Sequence, residues 1–518
     1  MKKSRISFEN TGGFSKIFLD YVRGDQKLAS FYNQPPSLDG MIKHLKSRSF
    51  EVVKRKILVE TLKEQYSKLI ITDTVASNIN LLAQENTFTI TTGHQLNVYT
   101  GPLFFIYKII SAINTCIELK ERHPKHNFIP IYWMASEDHD FEEIQSFFLG
   151  DKKFTWDTSQ KGPVGRFSTE NIKSEFLNSI PEKVSLFEEA YLRNTKLADA
   201  CRQYTNDLFG EFGLVVVDAD HPRLKNTFRP VIEDDLINNK ANTAIGDTNK
   251  ALGSIGYRTQ AFARDINFFY LKTGLRSRVE CKDSTYKVLE TGQVFSLDEL
   301  RKEIQKHPER FSPNVIMRPL YQESILPNIG YLGGPGELAY WLQLKKMFDH
   351  YKIDFPVLLP RNFVLVLNKN IQRKIKSLGF DSSDFFKKEH DLKRKWVKAN
   401  NQEDELHEEL GKIQDAYQGL KEKASKTDPT LIPYLEAEMC RAEKRIIHTK
   451  NKFMKARQRN NKISMQQVNY VKQAFFPDGL PQERRASFLD FYLPDKNFIK
   501  KLKKELNPFD LSYHVLEL

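Results

Sequence analysis

FTITTGHQLNVYTGPLFFIYKIISAINTCIELKERHPKHNFIPIYWMASEDHDFEEI spans Phe88 to Ile144. A short β-rich run, Phe88 to Thr92, stops at the turn Gly93-His94-Gln95. A second turn, Thr100-Gly101-Pro102, opens an apolar helix that runs to about Lys120. Another apolar run, Phe128 to Ala135, stops at Ser136-Glu137-Asp138-His139-Asp140. Strand, helix and strand in close succession predict a βαβ unit and hence a parallel sheet. Ligands of such sheets bind beyond the carboxyl ends of the strands. Both polar clusters fall at that end.

Outward from this unit the pattern continues. Residues 1 to about 85 read as helical, with apolar positions such as Ile57, Leu58, Leu62, Tyr66 and Leu69 on one face. After Asp151 the turns at Gly162-Pro163 and Gly165 predict a hairpin or extended insertion, followed by helical runs from Ile172 to Leu208. Phe212 to Asp218 reads as a buried strand that ends in a third polar turn, Asp218-Ala219-Asp220-His221. Short strands are expected at Thr259 to Arg264, Asn267 to Leu271, Arg276 to Cys281 and Lys287 to Thr291. Ile325 to Leu332 is a further strand, then the turn Gly333-Gly334-Pro335-Gly336 and a helix from Glu337 to Tyr351. Pro356 to Leu359 and Phe363 to Leu367 add one or two strands and close a Rossmann-like sheet.

The chain then changes character. Leu406, Leu410, Ile413, Tyr417 and Leu420 step by four and three. Beyond Thr427-Asp428-Pro429 the same stepping resumes at Leu435, Met439, Ala442, Ile446, Thr449, Phe453 and Ala456. This is the stripe of an antiparallel coiled-coil hairpin. The reading is therefore an α/β Rossmann-like parallel-sheet core over 1–385, with insertions at about 151–210 and 252–312. An α-helical antiparallel coiled coil follows over 386–465, and 466–518 returns to the core.

The 518 residues suffice for two or three domains, and 40% of them are hydrophobic. Four scattered cysteines, Cys116, Cys201, Cys281 and Cys440, argue against a disulfide framework. With no signal-like N-terminus and no membrane-length apolar run, a cytoplasmic protein is expected. The net charge of +13 would suit a polyanionic partner, and its excess gathers late in the chain.

Three clusters could carry chemistry. Gly93, His94 and Gln95 stand between a strand and a helix, where glycine admits a ligand to the backbone and helix N–H groups favour anions. Asp138, His139 and Asp140 could orient an amine or act as a base. A transition-metal set of His94, His139 and Asp140 has no signature spacing, so no metal is predicted. Gly333, Gly334 and Gly336 form a second glycine-rich turn without Walker or dinucleotide spacing.

TTGHQLNVYTGPLFFIYKII, IYWMASEDHDFEEI, NVIMRPLYQESILPNIGYLGGPGELAYWLQLK and FPVLLPRNFVLVL together resemble the cysteine ligase of bacillithiol biosynthesis, the BshC family. The resemblance runs in order over most of the chain. It implies a Rossmann-type core with insertions like the connecting peptides of class I aminoacyl-tRNA synthetases, and a coiled coil used for homodimerisation. It implies an amide-forming ligase that adds L-cysteine to the amine of glucosaminyl-malate, giving bacillithiol. A bound adenine nucleotide, ATP or ADP, is associated with the family away from the main pocket. Carboxylate activation by ATP would proceed through an adenylate or an acyl-phosphate. The synthetase HIGH and KMSKS signatures are absent, so the adenylate rests on fold analogy.

On this reading Asp138, His139 and Asp140 are the catalytic candidates. Gly93, His94, Gln95, Gly333, Gly334 and Gly336 line the substrate pocket, and Arg264 and Arg318 pair with the malate carboxylates. Many members carry glutamine where this chain has His94, which implies a binding role there. Small molecules, rather than a membrane or nucleic acid, are the expected partners. The alternative is an RNA- or tRNA-binding protein with a synthetase-like core and a basic coiled-coil arm.

Overall fold

The computed structural model describes residues 2–400 and 406–518. Its core is a five-stranded, fully parallel sheet. In chain order the strands are β1 (Thr87–His94), β2 (Asn127–Met134), β3 (Val215–Asp218), β4 (Asn328–Gly333) and β5 (Val357–Pro360). They lie side by side as β5-β4-β1-β2-β3. The strands are almost wholly buried because both faces are covered, as in parallel sheets generally, with threonines sharing β1 with Phe88 and Ile90. The helix Phe104–Arg122 joins β1 to β2, and most of its residues from Phe105 to Cys116 are buried.

The strand order fixes the site. From β1 the chain builds outward to β2 and β3, then crosses back to place β4 on the other side of β1. The carboxyl ends of β1 and β4 therefore flank the topological switch point, where a crevice opens between diverging connections.

Two expected strands behave differently. Phe363–Leu367 belongs to a separate three-stranded sheet, parallel to Tyr513–Glu517, which pairs in turn with Lys2–Ile6 in antiparallel fashion. The core sheet thus closes at β5, and the first residues are a strand rather than helix. Thr259 to Arg264 is not a strand. The Gln343 side chain takes the place of a neighbouring strand: its Oε1 accepts from Gln260 N and Ala261 N at 2.9 and 3.0 Å, and its Nε2 donates to Ala261 O at 2.7 Å. The helix after β4 is split into Pro335–Trp341 and Lys345–Tyr351 by a tighter turn at Leu342–Leu344.

Between β3 and β4 an antiparallel sheet is inserted, with strands Phe268–Lys272, Leu275–Lys282, Thr285–Val288, Val294–Phe295 and Phe311–Pro313. The coiled coil consists of helices His407–Thr427 and Ile432–Asn460, joined at Asp428–Leu431 and tied by Gln414 Nε2 donating to Glu443 Oε1 at 2.7 Å. Among the described residues no helix is long and apolar enough to cross a membrane.

Candidate active site

A cleft of about 1070 Å³ opens at the switch point. Gly93, His94 and Gln95 enter from the end of β1, Asp138 from beyond β2, and Gly334, Gly336 and Glu337 from beyond β4. Arg318 comes from the helix preceding β4, and Arg264 and Arg276 from the inserted segment. The turn into the first crossover helix borders the cleft with left-handed backbone at Tyr99, Thr100 and Gly101 (φ 52°, 68° and 61°). Such a conformation is costly at a β-branched threonine and persists only where packing imposes it. Here the Tyr99 ring stacks on Phe147 at 4.6 Å, and Tyr99 N donates to the Tyr191 hydroxyl at 3.1 Å.

At the switch point a buried ion pair spans the crevice. Lys108 Nζ reaches Glu337 Oε2 at 2.6 Å and donates to Gly93 O at 2.7 Å. Gly334 N (2.8 Å) and the Tyr331 hydroxyl (2.7 Å) also donate to Glu337. Burial alone would raise this carboxyl, but Lys108 and these bonds hold it down at about 2. Burial lowers Lys108, and Glu337 opposes that shift. A lysine inside the apolar run FFIYKIISAI was the sequence signal for this pair, since a buried ammonium requires a partner.

His94 donates from Nδ1 to Gln95 O at 2.9 Å, which leaves Nε2 as the acceptor nitrogen, without a partner among the described residues. Burial, then the charge of Lys108, lowers its pKa to about 3, so the imidazole stays neutral.

Asp138 has the opposite character. Burial raises it, but the bonds from His139, the charge of Arg276 and the bond from Gln95 outweigh that and hold it well below the usual carboxylate range. Gln95 Nε2 donates to Oδ2 at 2.6 Å, and His139 N and Arg276 Nη1 donate to Oδ1 at 2.7 and 3.3 Å. Arg276 is fixed by its stack on Phe269 (4.1 Å) and by donation to Pro313 O (3.2 Å). Glu143, also on the cleft, is raised by burial and then by the charges of Asp140 and Asp138.

The other candidates divide. Gly93, His94, Gln95, Asp138, Arg264, Arg318, Gly334 and Gly336 all line the cleft. Gly333 lies behind it, where an added Cβ would meet Leu338 at 3.0 Å. His139 and Asp140 are exposed and outside the lining; His139 Nδ1 accepts from Arg276 Nη1 at 2.8 Å. His94, His139 and Asp140 do not converge, and no metal-holding group of His, Cys, Asp or Glu occurs among the described residues. Asp218 and Asp220 turn to structural partners, the Ser136 hydroxyl and Arg166. Lys108, Arg276 and Glu337 were not expected at the site.

Behind Arg318 runs a buried polar chain. Arg318 Nη1 donates to Gln322 Oε1 (2.9 Å), whose Nε2 donates to Glu323 Oε1 (2.7 Å). Asn328 Nδ2 donates to the same oxygen at 2.8 Å, and Glu323 Oε2 has no partner among the described residues. Burial lifts Glu323 to about 7. Its native state therefore stays protonated at pH values where the unfolded chain is already ionised. Glu323 by itself is expected to contribute a fall in stability of up to about 3 kcal/mol as pH rises from about 4.5 to about 7, a fall that Asp235 shares and that the lowered His44, His94 and His514 oppose. Urea unfolding of wild type and Glu323→Gln at pH 5 and pH 8 checks this: the stability of wild type relative to the variant drops between the two pH values, and an unchanged difference refutes it.

The comparisons agree with this architecture. Residues 1–362 match the family model described as "Bacillithiol biosynthesis BshC, N-terminal Rossmann-like domain". Residues 364–518 match the one described as "Bacillithiol biosynthesis BshC, C-terminal coiled-coil domain". A protein of Flavobacterium johnsoniae is 40% identical over 99% of both chains, and one of Cytophaga hutchinsonii 40% identical over 97% of both. A Bacillus cytotoxicus protein is 26% identical over 96% of this chain and 97% of its own. Each of the three carries the name "Putative cysteine ligase BshC". With its two parts matched end to end, the chain belongs to the BshC family of bacillithiol biosynthesis.

Proposed function

We propose that this chain is the ligase that joins the carboxylate of L-cysteine to the amine of glucosaminyl-malate, completing bacillithiol. One observation carries the reading beyond the family: the cleft carries both arginines without an ion pair and an ionised carboxylate. Arg264 and Arg318 line it and form no ion pair among the described residues, while Asp138 offers a carboxylate held ionised. An arginine fork suits a carboxylate of malate, and the ionised Asp138 suits an ammonium. These groups would hold the two substrates with amine and carboxyl carbon adjacent, which removes much of the entropic part of the barrier.

Condensation of a carboxylate with an amine in water is uphill, and ATP would supply the activation. The proton leaving the attacking amine needs an acceptor. Asp138, held so far down, is a weak base, whereas the raised Glu143 is the better proton acceptor on the cleft. Mass spectrometry of thiols in cells with and without the gene tests the function. Loss of bacillithiol with accumulation of glucosaminyl-malate is expected, and unchanged bacillithiol would refute it.

We also propose that the protein is a homodimer joined through the coiled coil. Leu420, Leu431, Tyr434, Ile447 and Phe453 are exposed on the hairpin, an apolar surface that a second copy would cover. Ile447→Glu with Phe453→Glu is expected to convert a dimer to a monomer in sedimentation equilibrium. A dimer that persists in the double variant rejects this interface.

A further inference from the structure

Four basic side chains of the cleft are already neutralised. Lys108 is paired with Glu337, Arg276 with Asp138, Arg361 with Glu483 and Arg485 with Asp478. A third arginine, Arg484, resembles Arg264 and Arg318 in lining the cleft with no ion pair among the described residues. It comes from the C-terminal part of the chain, far from every motif that pointed to the site.

Its position is built rather than incidental. Arg361, just beyond β5, grips Glu483 with both terminal nitrogens, at 2.8 and 2.5 Å, and the two side chains are 1% and 4% exposed. The neighbouring Gln482 exchanges hydrogen bonds with the backbone of Val366, both at 2.9 Å. Ala486 O accepts from Leu103 N at 2.8 Å. The short helix Gln482–Arg485 is thus pinned from both sides to the strand-end edge of the core. Between these anchors Arg484 is exposed and faces the Phe104 ring at 5.7 Å. The same ring has Arg361 at 5.1 Å, Lys108 at 5.9 Å and the His94 ring at 5.0 Å. Of the three cations around it, Arg484 alone lacks a carboxylate partner among the described residues.

We infer that Arg484 is a substrate-binding residue that the C-terminal part contributes to the cleft, and that it takes a carboxylate of the dicarboxylate substrate. This rests on the reading of the cleft as the ligase site. Glu142 and Glu143, which also line the cleft without an ion pair among the described residues, disfavour a polyphosphate filling it. They suit a ligand with carboxylates at one end and an amine at the other. Binding at Arg484 joins the two matched parts of the chain through the substrate.

Calorimetric titration of the full chain with L-malate tests the inference. Arg484→Gln is expected to weaken malate binding roughly 10–100-fold, with Arg484→Lys intermediate. In the ligation assay the same variant raises KM for glucosaminyl-malate and leaves KM for cysteine unchanged. Equal malate affinity in wild type and Arg484→Gln overturns the inference, as does a wild type that binds pyrophosphate at Arg484 but no malate. Malate binding that depends on Arg484 in a protein without ligase activity would sustain this site and remove the reading of the reaction.

Discussion

Asp138→Asn is expected to lower kcat/KM for ligation by roughly 10²–10³-fold, the equivalent of about 3–4 kcal/mol, while leaving the unfolding midpoint close to wild type. The substitution is nearly isosteric and removes one negative charge. Its surroundings can absorb it. Arg276 keeps its stack on Phe269 and its bond to Pro313 O, and the amide oxygen can still accept from His139 N. The atom replacing Oδ2 becomes a donor facing Gln95 Nε2. Gln95 Oε1 has no partner among the described residues, so rotating that amide by half a turn restores a bond. What the variant loses is a fixed anion in the lining of the cleft. Steady-state kinetics beside a melting curve separates the two effects. Near-wild-type kcat/KM would remove Asp138 from the reaction, and a collapsed melting curve would make it structural.

Much of this arrangement was legible in the sequence because parallel strands covered on both faces leave an unmistakable trace. Ile90, Ile131 and Val216 sit in short β-rich runs that stop at polar turns, and the first two of those turns became the edge of the cleft, while Asp218 and Asp220 of the third went to structural partners. Sheet membership was not legible. Phe363–Leu367 is as apolar as β5, and what assigns it elsewhere is its pairing with Tyr513–Glu517, about 150 residues later. Lys2–Ile6 reads KKSRI and buries only Ile6, so an edge strand passes for a polar tail. Thr259 to Arg264 is a short run between turn signals, as a strand would be, yet the Gln343 side chain bonds its backbone in place of a neighbouring strand. The same limit applies to the site. Residues within a βαβ unit reach the strand ends by local geometry, which is why Gly93, Gln95 and Asp138 could be named. Arg276 and Arg484 arrive by tertiary packing, and no spacing along the chain marks them.

The largest stability effect is expected at Lys108. Its side chain is 5% exposed and Glu337's 28%, and together they join the end of β1 to the helix after β4. Lys108→Met deletes one charge and leaves a largely buried carboxylate whose remaining donors are Gly334 N and the Tyr331 hydroxyl. Breaking one side of such a pair costs about 3–5 kcal/mol, mostly through the charge left behind. Glu337→Gln alone should also be costly, because it strands Lys108, the more deeply buried charge, which keeps its bond to Gly93 O and the amide oxygen as acceptors. In Lys108→Met with Glu337→Gln the orphaned charge is gone, so the double variant should be more stable than Lys108→Met despite carrying an extra substitution. Unfolding midpoints of the four proteins form the cycle that measures this coupling. If the double variant loses the sum of the single losses, the pair is not coupled and Lys108 acts only through Gly93. If stability returns but ligation does not, the pair's second role is to hold the two glycine turns at the separation the substrates need.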